Sequence, residues 1–274
     1  MEAEMVVFHT DLDNTLIYSY KHDIGKDKCC VEIYQGREIS FVTQKTFRLL
    51  HKLSEMQQEI LIVPTTTRTT EQYERIDLGV GSFKYALVCN GGVLLTEGVV
   101  DGTVVRREDE DWYRNSLELI GNSVGELHRA LEILDSDRRR SFELRFIRDL
   151  FVFTKCEEPE VVVADLKKVL NTRIIDIFNN GTKVYVVPRA LNKGKAVDRF
   201  RKYIRTDHVI AAGDSEFDIS MLETADLGFA PRELAQRYHF SDKVRCLAPE
   251  KIYAEAVLEN VYGTLFMRRS VQRK

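Results

Sequence analysis

Apolar residues recur along this chain in two rhythms, short unbroken runs and longer stretches at helical spacing, and their alternation predicts an α/β fold. Met5-Val6-Val7-Phe8, Ile60-Leu61-Ile62-Val63, Tyr85-Ala86-Leu87-Val88-Cys89 and His208-Val209-Ile210-Ala211-Ala212 are brief β-branched or apolar runs, the pattern of strands buried on both faces of a parallel sheet. Between the first two, Phe47, Leu49, Leu50, Leu53 and Met56 follow helical spacing, and Leu191 through Ile204 opens another helix. Leu227-Gly228-Phe229-Ala230 reads as a further short strand, with helices near 231–238 and 249–262. From about Gly98 the texture changes. Charged, helix-prone sequence runs from Glu108 to Asp135, with Trp112, Leu117, Leu119, Ile120, Val124, Leu127, Leu131 and Leu134 as its apolar face. A strand over Phe142 to Phe153, a helix over Pro159 to Leu170, and strands Ile174 to Phe178 and Val184 to Val187 follow. Asn179-Asn180-Gly181 between the last two is a hairpin signal. This block predicts an α+β domain inserted into an α/β one, dividing the chain into 1–95, 96–187 and 188–274.

The strand ends carry the candidate chemistry. Parallel strands deliver the residues that follow them to one edge, where open α/β sheets bind ligands. After the first strand comes Asp11-Leu12-Asp13-Asn14-Thr15-Leu16. Carboxylates two residues apart in an extended chain project to the same side, and beside a phosphate they would repel it without a cation, most simply Mg²⁺. The bland alternative is turn chemistry, because Asp and Asn bond to nearby backbone. After the second strand, Pro64-Thr65-Thr66-Thr67-Arg68 supplies hydroxyl and guanidinium donors that suit phosphate; a threonine cap on a helix accounts for the same residues. Asn90-Gly91-Gly92 permits a ligand contact or, equally well, a plain turn. Lys193 near a helix start reads alone as a solvated lysine, with Lys195 as its rival. Gly213-Asp214-Ser215-Glu216-Phe217-Asp218 is a second acidic loop. The stretch from Tyr18 to Ser40, rich in Lys, Asp, Gly and Tyr, reads as an excursion beside the site without a defined role.

Taken in order, D-x-D-x-T at Asp11 to Thr15, the strand-end Thr66, Lys193 and G-D-S-x-x-D at Gly213 to Asp218 resemble the four motifs of the haloacid dehalogenase-like phosphohydrolases. The long insert and Asn90-Gly91-Gly92 resemble the Cof-like and sucrose-phosphate-phosphatase-like branch, with its C2-type cap. The resemblance implies a Rossmann-like core with a parallel sheet and an inserted α+β cap that closes over a substrate. It implies Asp11 as nucleophile, Asp13 as general acid and base, and Thr66 and Lys193 as phosphate ligands. Mg²⁺ would be held by Asp11, Asp214 and the backbone carbonyl of Asp13, with Asp218 and Ser215 behind them. Arg68, Asn90 and Gly91 are candidate substrate contacts. In the insert Arg145, Arg148, Asn179, Asn180 and Lys183 are chosen by position and polarity, and such residues are more often plain surface. Four positions depart from the family pattern: Phe217 where relatives carry Asn, Thr67 in place of a glycine, and His9-Thr10 in place of an apolar pair.

Composition narrows the function further. The chain has 274 residues, 44% hydrophobic and 30% charged, with a net charge of −3. That balance suits a globular protein and points to no polyanionic partner, while the basic runs Arg138-Arg139-Arg140 and 268–274 read as solvated surface. No nucleic-acid partner is expected. The start MEAEMVVFHT lacks a signal peptide's basic region and apolar core, and no apolar run reaches the roughly eighteen residues of a membrane span. Cys29, Cys30, Cys89, Cys156 and Cys246 are odd in number and scattered, which suits reduced thiols in the cytoplasm. The expectation is a cytoplasmic, Mg²⁺-dependent phosphatase of a small phosphorylated metabolite, a sugar phosphate by branch resemblance, as monomer or dimer. A phosphomutase and a non-catalytic phosphometabolite-binding regulator are its rivals.

Overall fold

The structure is a computed structural model that describes residues 5–248 and 252–272. The chain first forms Val6–Thr10 (β1), Tyr18–Ser19 (β2), Lys28–Tyr34 (β3), Arg37–Thr43 (β4), Gln44–Ser54 (α1), Ile60–Pro64 (β5), Thr70–Tyr73 (α2), Tyr85–Val88 (β6), Val93–Val100 (β7) and Thr103–Glu108 (β8). Next come Glu110–Ile120 (α3), Val124–Ser136 (α4), Arg145–Ile147 (β9), Phe151–Lys155 (β10), Pro159–Val169 (α5), Ile175–Asn180 (β11) and Lys183–Pro188 (β12). Last are Lys193–Ile204 (α6), Val209–Ala212 (β13), Glu216–Thr224 (α7), Leu227–Pro231 (β14), Arg232–Ala235 (α8), Val244–Leu247 (β15) and Tyr253–Gln272 (α9).

Two compact units result. The described residues of Met1–Gly91, Leu95–Arg107 and Lys193–Lys274 make the first; Gly92–Leu94 and Glu108–Asn192 make the second. The first unit is built on a parallel sheet in the order β15-β14-β13-β1-β5. Its central strand β1 is buried at all five residues, so it needs apolar side chains on both faces. In register Thr10 lies opposite both Ala212 and Pro64, and the segments that follow β1, β5 and β13 leave the sheet side by side. A parallel bridge between Thr65 and Leu87 brings β6 to the same edge. Around the sheet α6 packs on α7 and α1 on α9. α1 starts at Thr43, whose hydroxyl accepts from the Thr46 amide at 3.0 Å, and buries Thr46, Leu50 and Leu53. The excursion after the first acidic loop is an antiparallel sheet, β2-β4-β3. Its apolar side chains Tyr18, Ile24 and Phe41 cluster with Ala254 of α9.

The second unit carries an antiparallel sheet ordered β11-β12-β10-β9. Helix α4 packs on β10 and α5 on β11, and Leu127, Ala130, Leu134, Val162, Leu166, Val152, Ile177 and Val186 form its buried interior. The single strand expected over Phe142 to Phe153 is two strands. Arg148 and Asp149, with φ of 50° and 53°, turn the backbone through the left-handed region, which extended chain cannot contain. The hairpin at Asn179-Asn180-Gly181 is present as the link between β11 and β12, with Gly181 at φ 55°. The start of the helix expected at Pro249 lies outside the described residues; the helix is described from Tyr253. Among the described residues no helix is long and apolar enough to cross a membrane.

Candidate active site

Asp11 is the first residue beyond β1. Its amide donates to the Ala212 carbonyl at 2.9 Å, which continues the ladder to β13 and holds the side chain at the sheet edge, 6% exposed. The chain then folds back at once. Thr15, Leu16 and Ile17 amides all donate to the Leu12 carbonyl, and Asn14 adopts φ 60°, a conformation asparagine tolerates better than most residues. Leu12, Leu16 and Ile17 are buried, so the motif is anchored by its apolar members while its carboxylates face the edge.

Lys193 begins α6 and is 1% exposed. Its ammonium donates to Asp11 Oδ1 at 2.6 Å and to Asp218 Oδ1 at 2.5 Å. A lysine so deep would lose its charge without partners. Burial alone would lower its pKa, yet the charges of Asp11 and Asp218 and the hydrogen bonds to them raise it instead. Lys195 is exposed. The choice between them is made by Gly194, where a Cβ would meet the Ser220 carbonyl oxygen at 2.4 Å. Close packing of α6 on α7 turns Lys193 inward.

Asp218 uses its other oxygen to build the second acidic loop. Oδ2 accepts from the amides of Asp214 and Ser215, at 3.1 and 2.9 Å, and from the Ser215 hydroxyl at 2.8 Å, forming a capping box on α7. Gly213 is required there, because a Cβ would fall 2.3 Å from that of Asp218. The loop presents Asp214, whose Oδ1 accepts from the Thr15 hydroxyl at 3.1 Å. Tyr253 of α9 sits beneath, its hydroxyl 2.6 Å from the Phe229 carbonyl oxygen and 3.0 Å from that of Gly213.

Asp11, Asp214 and Asp218 thus each place a carboxylate oxygen within 4.8 Å of the others. Burial, then the negative charge of its neighbours, pushes Asp11 well above the usual carboxylate range despite Lys193. Asp214 is pushed up to about 7 by burial first and by Asp218 second, against Lys193 and Thr15. One ammonium does not neutralise this cluster. Hard oxygen donors with surplus negative charge fit a small divalent cation such as Mg²⁺. Asp13 is not part of the cluster: its carboxylate is half exposed and pairs with Arg68 through two 2.7 Å hydrogen bonds. A contribution from Asp13 to a cation would be that of its backbone carbonyl.

Thr66 follows Thr65, whose amide donates to the Thr10 carbonyl at 2.8 Å. It is fully buried, and its hydroxyl accepts from the Arg68 amide at 3.2 Å. Asn90 and Gly91 come to the same place, since the Asn90 amide donates to the Thr66 carbonyl at 2.9 Å and the Cys89 amide to that of Arg68 at 2.7 Å. Cys89, Asn90 and Gly91 all have positive φ, 52°, 59° and 84°, so this is a buttress for the Thr66 loop and not a plain hairpin turn. The polar pair His9-Thr10 also has a local reason. His9 Nδ1 lies 2.9 Å from Thr65 Oγ1, and the Thr10 hydroxyl donates to the Asp11 carbonyl at 2.8 Å. Burial, and then the charge of Arg201, lowers His9 to about 3. In the second unit, Arg145 pairs with Glu143, Arg148 with Glu108 and Asn179 with Glu160, while Asn180 and Lys183 are exposed.

Two participants escaped the sequence. Tyr253 acts through hydrogen bonds that no spacing announces. Glu32 is the other, a carboxylate 2% exposed in the excursion; a charged residue inside Cys29-Cys30-Val31-Glu32-Ile33 was its one signal. Thr15, the threonine of the D-x-D-x-T motif, takes its place beside Asp214.

An α/β sheet whose strand-end loops gather three carboxylates and a buried lysine is the arrangement expected from the resemblance to haloacid dehalogenase-like phosphohydrolases. A family model described as haloacid dehalogenase-like hydrolase matches residues 102–233, a span that includes Lys193 and the second acidic loop. The chain is 28% identical over 189 residues, 67% of this chain and 75% of the relative, to a phosphoglycolate phosphatase of Methanopyrus kandleri. Its fold is that of the sucrose-phosphatase of Synechocystis sp. PCC6803, solved with sucrose and phosphate, at TM-score 0.66 and 18% identity over 95% of this chain and 98% of that one. A haloacid dehalogenase-like hydrolase protein of Bacillus subtilis superposes at TM-score 0.55 and 14% identity, covering 95% of this chain and 92% of that one.

Proposed function

We propose that the protein is a Mg²⁺-dependent phosphatase that hydrolyses a small phosphorylated metabolite through an aspartyl-phosphate on Asp11. The observation that carries this reading is the contact of Lys193 with Asp11 and Asp218, at 2.6 and 2.5 Å, which fixes one oxygen of Asp11 and leaves the other for attack. Phosphate monoesters are among the slowest of biological hydrolyses, needing accelerations of up to about 10²¹-fold, so the site must combine a nucleophile, positive charge and proton transfer. Asp11 attacks phosphorus, and the bond to the leaving oxygen breaks. Asp13 protonates that oxygen and then takes a proton from the water that cleaves the intermediate. Lys193 and the hydroxyl of Thr66 hold the phosphoryl oxygens, where preorganised positive charge lowers the barrier most. Asp11, Asp214 and the Asp13 carbonyl would hold Mg²⁺, with Asp218 and Ser215 shaping the loop behind them. When bound, Mg²⁺ supplies further charge neutralisation of the phosphoryl group.

The substrate is a small phosphate ester, read here as a sugar phosphate, with leaving-group selection assigned to the inserted 96–187 segment. The phosphoglycolate phosphatase relative and the sucrose-phosphatase fold support this class. Five free cysteines suit a reducing cytoplasm. The test is a panel of sugar phosphates and phosphoglycolate, with and without Mg²⁺, assayed for inorganic phosphate. Release that requires Mg²⁺ and disappears in Asp11→Asn is expected. Transfer of the phosphoryl group to a second hydroxyl, or tight binding without turnover, would overturn the reading.

A further inference from the structure

Glu32 lies on β3 in the small sheet that follows the first acidic loop. A carboxylate this buried is costly unless it is paired and hydrogen-bonded, and here three donors reach it. Oε2 accepts from the Ser40 hydroxyl at 2.6 Å, while Oε1 accepts from Arg75 Nε at 3.1 Å and Arg68 Nη1 at 3.0 Å. Arg68 in turn donates from Nη1 to the Gln72 carbonyl at 3.2 Å, and from Nε and Nη2 to the two oxygens of Asp13 at 2.7 Å each. Two acids and two guanidinium groups therefore alternate from the interior of the small sheet to the mouth of the site. Four of the five Arg68 N–H groups are spent within the protein, which leaves the guanidinium poorly equipped to grip a phosphate and well equipped to hold a carboxylate.

We propose that Arg68 and Glu32 are positioning residues for Asp13, with Glu32 fixing the plane of the guanidinium and the guanidinium fixing the plane of the carboxylate. The inference rests on the reading of Asp13 as the acid and base of a phosphatase. It gives the excursion between the first acidic loop and α1 a role: it carries the anchor of the proton-transfer group. A fork-to-fork pair sets geometry as well as charge, and small misplacements of a catalytic group are expensive. Turnover opens one of the two Asp13 bonds so that an oxygen can carry the proton, and the remaining bond keeps the carboxylate in place.

The leaving group distinguishes this role from a structural one. An aryl phosphate expels a phenolate that needs little protonation, whereas an alkyl phosphate needs its acid. In Arg68→Lys, which keeps the charge and loses the fork, and in Glu32→Gln, the single-turnover rate of glycolate release from phosphoglycolate should fall by about tenfold or more, within the range of acid-base catalysis. The single-turnover rate of nitrophenolate release from p-nitrophenyl phosphate, which precedes the water step, should stay within about twofold. The double variant should be no slower than the worse single one, because both act through Asp13. Equal loss on both substrates, carried in KM, would mean that Arg68 binds phosphate, and would overturn the proposal. Asp13→Asn must show the same split. If it does not, the phosphatase reading of Asp13 fails; if it does while Arg68→Lys and Glu32→Gln show none, the positioning role alone fails. A crystal structure of Glu32→Gln, or of Arg75→Met should that variant not fold, is expected to show the Asp13 carboxylate turned from its present plane. An unmoved Asp13 in a variant lacking the anchor contradicts the proposal whatever the turnover.

Discussion

Lys193 holds the site together by standing between two carboxylates that would otherwise repel each other in a nearly dry place. Removing it leaves Asp11 and Asp218 buried without a counter-charge, which typically costs about 3–5 kcal/mol. Lys193→Met should therefore lower unfolding stability in urea by that order and abolish phosphate release; a variant as stable as the parent would mean that the cluster is solvated. His9 offers a second test. Its imidazole is held at about 3, below the 6.5 of an unfolded chain, chiefly by burial. Below 6.5 the unfolded state takes up the proton first, so the stability that His9 contributes is complete above 6.5 and is lost as pH falls toward 3. Stability measured at pH 7 and pH 5 should fall more steeply for the parent than for His9→Gln, and equal slopes would place His9 in contact with water. Among single residues, those whose chemistry sits beside a strand end were legible: Asp11, Thr66, Asp214 and Asp218 stand where their runs pointed. Lys193 was separable from Lys195 through Gly194. Glu32 and Tyr253 were not legible, because each matters through a partner distant in sequence, and Arg68 reads as a phosphate donor until its actual acceptors are seen.

At the scale of elements, two helices and a loop lock together through glycines. Gly213→Ala would force its Cβ against Asp218, which is part of both the α7 cap and the Lys193 contact. Overpacking of this kind costs about 1–3 kcal/mol. A lower Tm together with loss of activity is expected, and an unchanged Tm would show that the loop has room. Elements buried on both faces announced themselves, so β1, β5, β6, β13 and β14 match apolar runs. Less buried elements did not. β8, with two valines followed by three charged residues, and the four-residue β15 are too short or too polar to read, and the α3 to α4 stretch reads as one helical block although Gly121–Ser123 divides it. The apolar faces are continuous across that division, and apolar spacing is all that periodicity reports.

For the whole molecule, what matters is that groups some two hundred residues apart gather at one sheet edge with more negative charge than Lys193 offsets. Asp214, raised to about 7 by burial and by Asp218, must lose its proton before it can ligate a cation, so divalent-ion affinity and pH are linked. A raised carboxylate is protonated below its pKa. Mg²⁺ affinity measured by titration calorimetry should accordingly be weaker at pH 6 than at pH 8, with proton release on binding at the lower pH; pH-independent affinity would remove Asp214 from the ligand set. The family match over residues 102–233 begins after Asp11, Asp13 and Thr66, so the proposed role of Asp11 as nucleophile draws its support from the geometry of β1 and its neighbours. The most direct test is to mix the enzyme with a turned-over phosphate ester and Mg²⁺, quench in acid within one turnover, and locate the phosphoryl group by peptide mass spectrometry. A phosphorylated Asp11 that decays at the rate of phosphate release is the predicted result. Phosphate release with no adduct, or with the adduct on another residue, would contradict the account.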